Sequence, residues 1–206
     1  HVVISPGSRN APIIIALSRC KDIKKYTIVD ERSAAFVAIG IAQQSNEPTA
    51  IVCTSGSAVL NYAPAVSEAY YQQLPIIVIS ADRPVEWLDQ NDSQTIKQSG
   101  ILQNIVKKSF DIPASCTNKT EQWYCNRLIN EALQTATTFP QGPVHINVQL
   151  REPLYERKAM TETNAKAIKQ ISASAKDFSE FSQIINLKKK VLSKYFLFLD
   201  NPQHTY

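Results

Sequence analysis

Residues 74–84 read Leu-Pro-Ile-Ile-Val-Ile-Ser-Ala-Asp-Arg-Pro, an apolar run that stops abruptly in charged residues. The run does not alternate between apolar and polar, so both of its faces call for burial. That is how a strand inside a parallel sheet, covered on both sides, reads. Working back from it, residues 58–71 read as a helix, Thr54-Ser55-Gly56-Ser57 as a loop and residues 50–53 as a β-rich run. Earlier still, residues 33–44 place Ala and Ile on one helical side, and residues 26–29 form a strand that stops at Asp30-Glu31. Residues 2–5 are a short apolar run leaving into Pro6-Gly7, after which Asn10 is expected to cap a helix with Pro12 in its first turn. Strand and helix thus alternate through residues 2–80 with short loops between them. The expected fold is α/β: a doubly wound, mainly parallel sheet with helices on both faces.

Forward of the opening run, residues 82–101 read as a polar loop, 121–138 as a helix and 144–148 as a last strand. One domain is therefore expected over residues 1–150. Residues 151–174 lose the pattern and read as a linker. From 175 to 206 the chain reads as the truncated start of a further domain, with a helix at 177–186, a solvated turn at Lys188-Lys189-Lys190 and an apolar strand at 191–199. The chain opens without Met inside an expected strand, so a native beginning upstream is also expected.

Charge and composition remove several classes. The net charge is +4. Residues 1–150 carry 12 Lys and Arg against 12 Asp and Glu, while 151–206 carry 10 against 6, so the excess belongs to the tail. A body built to grip phosphate backbones is not indicated. No apolar run is long enough to cross a bilayer, and the first residues carry no signal-peptide pattern. The four cysteines form no C-x-x-C pair, and with three histidines a zinc site is not expected. Buried, reduced thiols in a cytoplasmic protein are the plain expectation.

In open parallel sheets ligands bind beyond the carboxyl ends of the strands. Four polar clusters fall there: residues 5–10, Asp30-Glu31-Arg32, residues 54–58 and Ala81-Asp82-Arg83-Pro84. Glu31 follows an apolar strand and begins an Ala-rich helix. Partial desolvation would raise its carboxyl pKa toward a proton-sharing role, although a helix-start acid would look the same. The Ser55-Gly56 turn resembles a ligand loop at a helix N-terminus or a simple cap. It matches neither a P-loop nor G-x-G-x-x-G nor G-x-S-x-G. Ser8, Arg9 and Arg83 suit contacts to carboxylates, though Arg83 could pair with Asp82 and Arg9 could simply be solvated. Gln94 could bond the same ligand or cap a following helix. His145 reads as a satisfied core side chain.

Together, residues 5–12 (SPGSRNAP), 30–32 (DER), 54–58 (TSGSA), 81–84 (ADRP), 94–100 (QTIKQSG) and 142–155 (GPVHINVQLREPLY) resemble the N-terminal, pyrimidine-binding domain of thiamine-diphosphate enzymes. The nearest resemblance is to the menaquinone-pathway synthases that make 2-succinyl-5-enolpyruvyl-6-hydroxy-3-cyclohexene-1-carboxylate. That resemblance implies a carbon–carbon bond-forming transferase, which decarboxylates 2-oxoglutarate and adds the four-carbon unit to isochorismate. It implies that Glu31 is catalytic, hydrogen-bonding N1′ of the cofactor's aminopyrimidine, with Pro6, Ser55 and Gly56 also against thiamine diphosphate. Ser8, Arg9, Arg83 and Gln94 would line the isochorismate side. Many members have Asn-Gln where this chain has Ser93-Gln94. The family's G-D-G…Asn segment, which holds Mg2+ and the diphosphate, is absent from the 206 residues. No metal ligand is therefore expected in this chain, and the chain alone is expected to be inactive. A homodimer, with no nucleic-acid partner and no membrane insertion, is implied for the whole enzyme. The alternatives are another thiamine-diphosphate carboligase or decarboxylase of acetolactate-synthase type, or a non-catalytic doubly wound binding module.

Overall fold

A computed structural model describes residues 1–155 together with 166–167. The rest of the expected linker, the helix at 177–186, the Lys turn and the strand at 191–199 lie outside the described residues. Six strands form one sheet: β1 (Val2–Ile4), β2 (Lys25–Thr27), β3 (Thr49–Cys53), β4 (Ile76–Asp82), β5 (Ser109–Ile112) and β6 (Val144–Gln149). Their order is β2-β1-β3-β4-β6-β5, and every pairing is parallel. The helices are α1 (Ala11–Ser18), α2 (Glu31–Ser45), α3 (Ala58–Asn61), α4 (Ala63–Tyr71) and α5 (Lys119–Thr137), with a 3-10 turn at Val85–Trp87.

The opening run behaves as its composition requires. Ile77, Ile79 and Ala81 of β4 enter one apolar cluster with α1 and α5, while Ile76 and Val78 enter a second with α2, α3 and α4. Each of these Ile and Val side chains, fully buried, contributes roughly 1.5–3 kcal/mol. Crossovers running toward β2 lie on the α1/α5 face, and those running toward β4 lie on the other. That is the doubly wound arrangement, with helices on both faces. The chain reverses direction between β1 and β3, so the loops after these two strands flank the point where such sheets hold ligands.

Helix ends follow local chemistry. Asp30 caps α2 by accepting the Ser33 N–H at 2.7 Å, and Asn46 ends that helix in a left-handed conformation (φ 53°). Asn118 and Glu121 form a reciprocal capping box on α5. No described helix is long and apolar enough to cross a membrane.

Several expectations are corrected. Asn10 does not cap α1 through its side chain. Its Nδ2 donates to Ser5 O at 2.8 Å and its Oδ1 accepts Gly7 N–H at 2.9 Å, so it closes the loop after β1 upon itself. The helix read at 58–71 is two helices, because Pro64 lacks an N–H and its ring opposes the preceding turn. A strand not expected at all, β5, pairs with β6 at the sheet edge. Leu154, within the stretch read as linker, is buried, and the Tyr155 hydroxyl donates to Ser8 O at 3.4 Å.

Candidate functional site

The loops after β1 and β3 are pressed together. A Cβ on Gly7 would lie 2.5 Å from Thr54 Cβ, so only glycine allows the approach. Gly56 has φ +81°, and a Cβ there would meet Gln94 backbone oxygen at 2.7 Å. Segment 93–95 thus lies directly over the Ser55-Gly56 turn.

Arg83 is drawn into this junction. Its Nη1 donates to Ser55 Oγ at 2.9 Å and to Gln94 O at 3.2 Å, while Ser55 Oγ donates to Gln94 O at 3.2 Å. The Arg83 side chain does not pair with the Asp82 carboxylate, as its sequence neighbour had allowed. Asp82 Oδ1 takes the Arg83 backbone N–H, and the guanidinium Nε pairs with Asp92. Arg9 is also held: Nη1 donates to Leu150 O at 2.9 Å and Nη2 to Glu152 Oε1 at 2.8 Å. The Arg83 hydrogen bond holds the Asp92 carboxyl below the ordinary carboxylate range, and the Arg9 charge adds to this. Ser55, Arg9, Arg83 and Gln94 are therefore assembled at one rim. Ser8 and Pro6 are exposed on the adjoining loop, and among the described residues no hydrogen bond engages the Ser8 hydroxyl.

Glu31 occupies a different part of the rim. It is half-buried at the start of α2, and its side chain makes no hydrogen bond or ion pair among the described residues. Burial raises the Cys53 thiol and the Tyr62 hydroxyl above their ordinary pKa values, and the Glu31 charge adds to both. Its carboxylate therefore stands by the end of β3. Tyr62, wholly buried, donates to Ser5 Oγ at 3.3 Å and joins this corner to the end of β1. A half-buried carboxylate with no donor of its own fits a protonated ring nitrogen such as that of an aminopyrimidine. No group of three or more His, Cys, Asp or Glu among the described residues is arranged to hold a metal ion.

Beneath the rim lies a polar interior that sequence reading missed. Gln98, wholly buried, accepts Gly56 N–H on Oε1 at 2.6 Å; its Nε2 donates to Ala81 O and to Asn147 Oδ1, both at 3.0 Å. Ser80 Oγ donates to Asn147 Oδ1 at 2.9 Å. Asn147 Nδ2 donates to Asp82 Oδ2 at 2.8 Å and Asp111 Oδ1 at 3.0 Å. Burial lifts the Asp82 carboxyl above the ordinary range. Because the Ser80 hydrogen is spent on Asn147, His145 Nε2 must carry the proton that joins it to Ser80 Oγ at 2.8 Å. His145 Nδ1 is left buried without a partner, so the core histidine is only half satisfied. The available signal for Gln98 was its place in the QTIKQSG segment at residues 94–100, which by itself assigns it no role.

Comparison with known proteins bears on the fold and the family. Residues 1–101 match the model of the thiamine pyrophosphate enzyme N-terminal TPP binding domain. The 2-succinyl-5-enolpyruvyl-6-hydroxy-3-cyclohexene-1-carboxylate synthase of Bacteroides fragilis is 50% identical over 167 residues, covering 81% of this chain and 30% of that protein. Its namesake from Cytophaga hutchinsonii is 52% identical over 156 residues, covering 76% of this chain and 28% of its own length. That from Phocaeicola vulgatus is 46% identical over 192 residues, covering 92% and 34%. The chain thus spans about a third or less of the curated relatives it matches. Among solved structures, benzoylformate decarboxylase of Polynucleobacter necessarius aligns at a TM-score of 0.65 and 23% identity, covering 83% of this chain and 30% of that one. A thiamine-diphosphate-dependent 4-hydroxybenzoylformate decarboxylase of Rhodococcus jostii RHA1 gives 0.61 and 21%, covering 72% and 27%. At those identities the likeness speaks for the fold.

Proposed function

The chain belongs to the thiamine pyrophosphate enzymes, whose N-terminal TPP binding domain it carries over residues 1–101, and on that premise we propose that it forms the pyrimidine-binding part of a synthase joining a four-carbon unit from 2-oxoglutarate to isochorismate. The observation that carries this reading is the rim itself. Among the described residues Glu31 stands without a hydrogen-bond donor beside β3, while the buried Arg83 and the largely buried Arg9 lie beyond β4 and β1. Bound thiamine diphosphate would supply the electron sink for decarboxylation and carbon–carbon bond formation. Glu31 would accept a hydrogen bond from N1′ of the pyrimidine and hold a proton there. Pro6, Ser55 and Gly56 would shape the floor on which that ring rests. Ser55 would do so through its backbone, because its hydroxyl already serves Arg83 and Gln94. Ser8, Arg9, Arg83 and Gln94 would orient isochorismate, the arginines through its carboxylates.

The same reading places Mg2+ and its ligands outside this chain, in a homodimeric cytoplasmic enzyme whose reaction is a transfer. The test is Glu31→Gln in the enzyme containing this domain. It should lose about 100-fold or more in kcat while retaining thiamine-diphosphate binding. Unchanged turnover would refute the role of Glu31. The 206-residue chain alone should form no product from 2-oxoglutarate and isochorismate.

A further inference from the structure

Each rim arginine is held in two ways that differ in kind. Its inner hydrogen bonds go to Ser55 Oγ and Gln94 O for Arg83, and to Leu150 O for Arg9. The Arg83 and Arg9 side chains are only 9% and 11% exposed. The carboxylates that neutralise them are not fixed in this way: the Asp92 side chain is 38% exposed and that of Glu152 63%. Asp92 sits on a segment in which Asp89, Asn91 and Gln94 all adopt positive φ (58°, 59° and 55°), a conformation rare for residues other than glycine. Asp92 also lies within the field of both arginines. Fixed guanidinium groups are thus covered by carboxylates on exposed chain.

The geometry points to Asp92 and Glu152 as internal occupants of the carboxylate positions on Arg83 and Arg9, which a dicarboxylate substrate displaces. This deepens the proposed function and rests on its placement of the arginines toward substrate. A ligand with two carboxylates restores both ion pairs it breaks. A monocarboxylate restores one and leaves the other carboxylate in place across the site. Asp92 and Glu152 therefore lower affinity for every anion that reaches the arginines. An acid whose only task is to position its arginine would act in the opposite sense, and removing it would weaken substrate binding.

The experiment is steady-state kinetics on the cofactor-loaded enzyme containing this domain, with 2-oxoglutarate saturating and isochorismate varied. Asp92→Asn and Glu152→Gln should each lower KM for isochorismate by about 3- to 10-fold with kcat little changed, because the competent state no longer competes with an internal carboxylate. Benzoate, a ring monocarboxylate, should inhibit both variants more strongly than the parent enzyme. Asp89→Asn is the charge control. Asp89 pairs with the exposed Lys97 at 3.1 Å and does not touch either arginine, so its loss should leave KM unchanged. A raised or unchanged KM in Asp92→Asn and Glu152→Gln overturns the exchange, as does an equal effect from Asp89→Asn. Arg83→Met separates this from failure of the underlying reading. If it leaves KM for isochorismate unchanged, the arginine does not face substrate and the site assignment itself fails. If it raises KM while Asp92→Asn does not lower it, the exchange alone fails.

Discussion

Alternate residues of β4, β5 and β6 line two interiors of opposite character. Toward α1 and α5 they present Ile77, Ile79, Phe110, Ile112, Ile146 and Val148, an apolar cluster continuous with the helices. Toward the other face, beside the apolar Ile76 and Val78 that pack on α2, α3 and α4, the same strands present Ser80, Asp82, Asp111, His145 and Asn147, joined by hydrogen bonds. Apolar packing is non-directional and tolerates exchange of residues of similar volume. A buried polar network tolerates little, since each member removed leaves partners desolvated and unanswered. The polar interior lies under the rim and reaches it through Gln98, which holds the Gly56 turn. Directional bonding is placed where loop position matters, and the apolar face supplies bulk stability.

The most severe way to break this contrast is at β6, where neighbours face opposite sides. Asn147→Leu strips partners from Asp82, Asp111, Gln98 and Ser80 at once and should cost about 3–5 kcal/mol in urea unfolding. Ile146→Val, one residue away on the apolar side, should cost only about 1 kcal/mol. Equal losses would show that the polar side carries no special weight.

Acid should find the polar side next. Burial holds His145 down to about 4, below its ordinary 6.5. The unfolded chain therefore takes this proton first. The histidine's contribution is full above about pH 6.5 and is lost as pH falls toward 4, a change of up to about 3 kcal/mol. Asp82 runs the other way. Its raised carboxyl is more readily ionised in the unfolded chain, so its contribution declines as pH rises from the ordinary carboxylate range. His145→Gln should remove the first slope and leave the second. Urea titrations from pH 7 to 4 with the same slope in both proteins would exclude His145 as the source.

The smallest effect belongs to the apolar side. Asn118→Ala removes the side-chain cap of α5, whose buried face packs into that cluster, and should cost about 1 kcal/mol with no change in the pH slope. A changed slope would mean that the two interiors are coupled through β6.

The readable features were those set by local pattern. β4 announced itself by four consecutive β-branched residues, and α2 by the Ala and Ile on one of its sides. The polar clusters at strand ends share one edge of the sheet because all the strands are parallel. What was missed depends on distant partners. Arg9 finds Glu152, and Gln98 finds Gly56, Ala81 and Asn147, and no local spacing reports such meetings. β5 escaped because Ser-Phe-Asp-Ile is short and half polar, and becomes a strand only when β6 lies beside it. Asn10 was misjudged because a cap and a loop staple use the same side-chain atoms.

The sheet's all-parallel register bears on how the molecule is made. No strand can meet a neighbour through a tight hairpin; even the shortest-range pairing brings Val2 to Lys25, and that of β4 with β6 brings Ile77 to Val144. Every closure must span a crossover before any ladder bond rewards it, so folding is expected to be slow for a chain of this size. The last central strand, β6, carries both His145 and Asn147, and until it arrives Ser80 and Asp82 wait without partners. The polar interior is therefore the final region to be sealed, and during synthesis the nascent chain should remain protease-sensitive there until residues near 149 have emerged.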